Sequence, residues 1–240
     1  MDIVYDMNMK AIKNADIELF KILNSSTDTC DVEILQSRNG HPVPKIQGIL
    51  VHSACDPIKE ASTFIKSCET IIESQDILLV MGYGFGYHVD ALVKRVENSP
   101  NKSIFVVEPN ISFFKKALQM RDLTKIIEKV TFIVGFSVPR LFSIPGFYKI
   151  LNAAPYTIGY NPAVKINENY FVEFVKRRSS NLKEHLLYEA DDNNELAEII
   201  NRFSDNEELS LKKIIQNIMQ KQAPLNKSEK MFLLLGEFSG

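Results

Sequence analysis

Gly82, Gly84 and Gly86, with His88 just after them and Glu108 at the end of the next apolar run, are the residues best placed to do chemistry. An apolar run, Ile77 to Met81, leads into the glycines. Small residues let a ligand approach the backbone closely, and the free amides with the following helix N-terminus favour an anionic group. Glu108 lies at the ~20-residue interval where a carboxylate at the tip of the adjacent strand accepts hydrogen bonds from ribose hydroxyls. His88, in the first helical turn, is placed to contact a ligand phosphate or carboxylate, or to bond a neighbouring loop. The candidate guests are a nucleotide, a nucleotide-sugar or S-adenosylmethionine.

A second reading stays open. The spacing is G-x-G-x-G and departs from the dinucleotide pattern G-x-G-x-x-G at Tyr87. The residues between and after the glycines, Tyr83, Phe85, Tyr87 and His88, are bulky enough to fill the cleft. The loop then makes only a tight turn under close helix–strand packing, and the domain is a structural interaction module. An S-adenosylmethionine-dependent methyltransferase is a third possibility. It would carry an acid two residues before the first glycine, where this chain has Val80. Tyr160-Asn161-Pro162 reads as a turn rather than a catalytic motif.

The other polar cluster is His52, Ser53, Asp56 and Glu60. Closeness in sequence does not make a triad. Asp56 fits a helix N-cap and Pro57 the first helical position, with His52 and Ser53 satisfying the turn before it. Lys176 to His185 is a charged stretch on a helix with an apolar side, and reads as a solvated face. Cys30, Cys55 and Cys68 are scattered and odd in number, so they outline neither a disulfide framework nor a zinc site. No metal ligand set is expected.

These residues need elements to hold them. Lys10 to Leu23 is expected to be one helix, Val32 to Leu35 and Ile46 to Val51 a hairpin turning at Arg38-Asn39-Gly40, and Ile58 to Ile72 a helix. Strands at 77–81, 104–107 and 130–134 alternate with helices after the glycine loop, after Asn110, and at 138–142. That alternation predicts an α/β, Rossmann-like, mostly parallel sheet flanked by helices. The expected divisions are a helix and hairpin element at 1–51, the Rossmann-like domain at 52–165, a helical tail at 166–229, and the start of a truncated further domain at 230–240.

The 240 residues are 45% hydrophobic and 24% charged, ordinary for a globular protein, and the net charge of −2 excludes a broad nucleic-acid surface. No apolar run approaches the ~18 residues of a membrane span, and MDIVYDMNMK has no signal-peptide pattern. A cytoplasmic protein is expected.

Three segments together resemble one family: HSACDPIKEA (His52 to Ala61), MGYGFGYHVDAL (Met81 to Leu92) and VVEPNISFFKKAL (Val106 to Leu118). In order and spacing they are similar to the amino-terminal domain of the motility accessory factor (Maf) glycosyltransferases. The shared positions are His52, Ser53, Pro57, Glu60 and Ala61; Gly82, Gly84, Gly86, Tyr87 and His88; and Glu108, Pro109, Phe114 and Leu118. The likeness runs from about Val32 to Pro162. It implies a Rossmann-like module of a larger cytoplasmic enzyme that attaches nonulosonic acids to Ser or Thr of flagellin. Catalysis is attributed there to a following domain that opens with a Gly-Pro-Ser-Leu type loop, which this chain lacks. The resemblance therefore implies an accessory domain of a glycosylation system, with a protein acceptor such as flagellin as partner. MFLLLGEFSG looks like the opening strand of another glycosyltransferase-like domain.

Overall fold

The structure, a computed structural model, describes residues 3–27, 29–144, 147–154 and 156–178. The chain divides into two units at residues 171 and 172, and the fold described here is that of the first.

The chain opens with α1 (Ile3–Ala15) and α2 (Ile17–Ser25) rather than one continuous helix. The break is local chemistry: the Asp16 side chain accepts from the amides of Glu18 and Leu19 and starts a new helix in the middle of the expected one. A small antiparallel sheet follows, made of β1 (Glu33–Gln36), β2 (Pro42–Ile46) and β3 (Ile49–Leu50), with β2 in the centre. The hairpin turns near Gly40 as expected, but its second strand is Pro42–Ile46 rather than 46–51. The expected strand is interrupted by a second turn at Gln47 and Gly48, both at positive φ (51° and 77°). Pro42 and Pro44 argue against a strand in sequence. They fit because they face away from β1: the Pro44 carbonyl accepts from the Val51 amide, and that of Pro42 from the Tyr87 hydroxyl.

Next come α3 (Pro57–Ser67) and α4 (Glu69–Ser74), where the apolar spacing had suggested one helix. Asp56 caps α3 by accepting from the Lys59 amide, with Pro57 at the first helical position. Then β4 (Ile77–Met81), α5 (Tyr87–Arg95), β5 (Ser103–Glu108), α6 (Ile111–Met120), α7 (Thr124–Ile127), β6 (Val130–Val134), α8 (Val138–Phe142) and α9 (Phe147–Ala153) follow in turn. Beyond α9 the chain supplies β7 (Thr157–Gly159), followed by α10 (Asn161–Lys165). Three residues beside Pro155 are too short a run to stand out in sequence. They become a strand by pairing with Leu79, Val80 and Met81.

The main sheet is wholly parallel, in the order β6-β5-β4-β7, with Val80 opposite Val106 and Ile158, and Val106 opposite Phe132. The chain steps outward from β4 to β5 to β6 and then returns to the other side of β4. This is the Rossmann-like arrangement, and its switch point lies at the carboxyl ends of β4 and β7. Leu78, Leu79 and Val80 are all buried, as expected of a strand covered on both faces. Asn8 of α1 is fully buried. It donates to the carbonyls of Leu118 (2.8 Å) and Arg121 (2.7 Å) and accepts from the Leu123 amide (2.8 Å), so it clamps the α6–α7 turn. Residues 168–178 are helical, and the rest of the expected tail, with the run at 231–235, lies outside the described residues. Among the described residues no helix is long and apolar enough to cross a membrane.

Candidate functional site

The structure brings Gly82, Gly84, Gly86, His88 and Glu108 together at the carboxyl edge of β4 and β5. All three glycines have positive φ (81°, 59° and 74°). Each also meets a close neighbour. A Cβ on Gly82 would lie 3.0 Å from Ala163 of α10, one on Gly84 would lie 2.9 Å from the His52 ring, and one on Gly86 would overlap the Tyr83 ring.

The amides of this loop are engaged by the chain's own acceptors. Glu108 is fully buried; its Oε2 accepts from the Tyr83 amide at 2.9 Å, and its Oε1 from the Asn110 amide at 2.9 Å and Asn167 Nδ2 at 3.4 Å. The Gly84 amide also donates to this carboxylate. Burial raises the Glu108 pKa to about 7, against the pull of these donors. The Phe85 amide donates to His52 Nε2 at 3.0 Å, and the Gly86 amide to the Tyr83 carbonyl at 2.8 Å. Accepting at Nε2 requires His52 to be neutral, with its proton on Nδ1. Burial, then the nearby His88 and Arg121, hold its pKa well below the ordinary value.

The side chains of the loop turn into the core. Tyr83 and Phe85 are fully buried, Tyr83 edge-on to Phe114 (5.2 Å) and Phe132 (5.4 Å), and Phe85 against Phe113 (5.7 Å). Each buried ring stabilises the fold by about 2–3 kcal/mol, so opening the loop by withdrawing them is costly. Tyr87 reaches across to the small sheet through its bond to the Pro42 carbonyl (2.8 Å). Burial pushes its hydroxyl pKa up to about 12.

His88 is buried on α5. Its Nε2–H donates to the Gly82 carbonyl at 3.0 Å, and its Nδ1 has no partner. Burial lowers its pKa to about 4, so it is neutral at pH 7. Tyr160, which follows β7, stacks on His88 (4.7 Å) and on His52 (5.2 Å). Tyr160, Ala163 and Asn167 thus occupy the crevice at the switch point. His52, expected at the turn before α3, instead faces the glycine loop. Ser53 holds that turn: its Oγ accepts from the Cys55 and Asp56 amides, and its own amide donates to Glu60.

Arg121 was not visible as a site residue. It donates to the Phe85 carbonyl, pairs with Asp90 of α5, and lies 4.0 Å over the Tyr87 ring. A single arginine after a helix gives no signal of such a role. Tyr160 gave a misleading one, because Tyr160-Asn161-Pro162 reads as a turn and is the start of α10, with Pro162 in its first turn. Among the described residues no group of His, Cys, Asp and Glu could hold a metal ion.

No curated protein matches the chain. Among solved structures, a crystal structure of MnmC2 from Aquifex aeolicus matches with 12% identity and a TM-score of 0.34, covering 55% of this chain and 52% of that one. The chain therefore spans about half the length of that structure. Residues 42–132, which carry the small sheet's central strand, the glycine loop, Glu108 and Arg121, match the family model of the glycosyltransferase Maf N-terminal domain, the family that the three sequence segments resemble.

Proposed function

We propose that this chain is an accessory domain of a Maf-type protein glycosylation system, and that it contributes architecture and acceptor contact rather than bond-making. One observation carries the reading: the groups that could do chemistry face inward. His52, His88 and Glu108 are 2%, 1% and 0% exposed, and Glu108 and His52 already accept from the loop amides that a nucleotide would use. The family match supports the glycosylation context, and flagellin as acceptor rests on the resemblance. Nucleotide, nucleotide-sugar or S-adenosylmethionine binding at Gly82, Gly84, Gly86, His88 and Glu108 would need Glu108 and Tyr160 to withdraw, and the methyltransferase alternative needs the same withdrawal.

Amide hydrogen exchange over residues 82–88, with and without CMP, a UDP-sugar, S-adenosylmethionine and NAD at millimolar concentration, tests this. Slow exchange that no ligand alters is expected. A ligand that changes protection at the Tyr83 and Phe85 amides, with binding lost in Gly84→Ala, would overturn the sealed-loop reading.

A further inference from the structure

We propose that the cavity at the carboxyl end of β6 binds the phosphate group of a small phosphate monoester. This site is separate from the glycine loop and shares no lining residue with it. Ligands of parallel α/β sheets bind beyond the carboxyl ends of the strands. The switch point at β4 and β7 is filled by Tyr160 and Ala163, and a cavity at the same edge lies beside β6. It measures about 360 Å³, at the lower end of small-molecule pockets.

Its lining has the chemistry of an oxyanion site. Arg140 of α8 lines it, with the guanidinium 5.0 Å from the Phe136 ring centroid. No ion pair engages Arg140 among the described residues. A ring beneath the guanidinium restricts its motion and leaves its N–H edge for a ligand. Ser25 and Thr27 line it at the end of α2, the Ser25 Oγ already donating to the Ile22 carbonyl at 3.2 Å. Lys115 donates to the Ser26 carbonyl at 3.0 Å and so places a second positive charge at the rim. Among the described residues the lining contains no carboxylate. A phosphate monoester carries between one and two negative charges near neutral pH, which two cations and a set of hydroxyls match better than a single carboxylate would. Ile22 and Ile111 supply an apolar wall for the organic part. The pocket also depends on Gly135, at φ +75°, whose Cβ would overlap Ile111 at 2.3 Å and force this wall to shift.

The test is calorimetric titration of the full chain with inorganic phosphate, AMP and glucose 6-phosphate in chloride buffer. Binding of at least one monoester is expected, with Arg140→Gln weakening it at least about tenfold. Inorganic phosphate binding as tightly as both monoesters would overturn the claim that the pocket takes the organic part. Arg140 is exposed, so its variant should fold; circular dichroism checks this, and Arg140→Lys should retain part of the affinity. Silence with all three probes up to about 10 mM, or affinity unchanged in Arg140→Gln, overturns the proposal. Silence leaves the sealed-loop reading intact. Binding that survives Arg140→Gln but disappears in Gly84→Ala would place the ligand at the glycine loop and refute both.

Discussion

Gly86→Ala should be among the most damaging single-methyl additions to this fold. Two effects act at this site. The residue sits at φ +74°, where a Cβ costs about 1–2 kcal/mol. The added methyl would also lie 2.2 Å from Cζ, 2.3 Å from the hydroxyl oxygen and 2.4 Å from Cε2 of Tyr83. Tyr83 is fully buried against Phe114 and Phe132, so it cannot swing out to solvent, and forcing a close-packed core to yield costs about 1–3 kcal/mol. The sum is about 2–5 kcal/mol. Gly40 provides the control. It has nearly the same φ, +76°, but a Cβ there meets nothing within 4 Å, so Gly40→Ala should cost the backbone term only, about 1–2 kcal/mol. Urea unfolding followed by circular dichroism separates the two. With an unchanged m, a difference of about 2 kcal/mol moves the midpoint by roughly 1 M. In the Tyr83→Ala background, Gly86→Ala should cost no more than Gly40→Ala does in the parent protein. If the two glycine variants lose stability equally, within about 0.5 kcal/mol, the close contact with Tyr83 does not exist as described.

The buried titrating groups make opposed contributions to stability. His88, at about 4 when folded and 6.5 ordinarily, leaves the unfolded chain to take up the proton first, so stability falls as pH drops from about 6.5 to about 4, by about 3 kcal/mol for this residue. His52 acts in the same direction. Glu108, at about 7 when folded and 4.5 ordinarily, keeps its proton in the folded state, so its contribution is lost as pH rises from about 4.5 to about 7. Between about pH 4.5 and 6.5, urea midpoints should show Glu108→Gln gaining about 1.4 kcal/mol more per pH unit than the parent, and His88→Phe gaining less than the parent; parallel profiles for all three proteins would contradict these protonation states. Asn8→Ala strands the Leu118 and Arg121 carbonyls and the Leu123 amide inside the protein, and should cost about 2–4 kcal/mol in thermal or urea unfolding; a loss under about 1 kcal/mol would show that water replaces the side chain.

Periodicity and local chemistry determined much of the architecture from sequence. The runs at 77–81 and 104–107 are strands whose apolar residues are continuous, that at 130–134 is apolar except at the exposed Thr131, and the Asp56-Pro57 and Asn110 starts are helix caps because the Asp56 and Asn110 side chains reach amides a few residues ahead. The grouping of three glycines, His88 and Glu108 at one sheet edge followed from the strand–loop–helix–strand order. Tertiary structure decided what that grouping does in the fold. The use of Glu108 and His52 as acceptors for the loop amides depends on contacts 25 and 33 residues apart in sequence, which no local pattern encodes. Strand β7 exists only because β4 offers it a paired edge, and Tyr160 fills the crevice only because β7 delivers it there. Local spacing can specify which backbone groups are presented at a sheet edge; whether they meet a ligand or another part of the same chain is set by segments that reach the site only once the fold has closed.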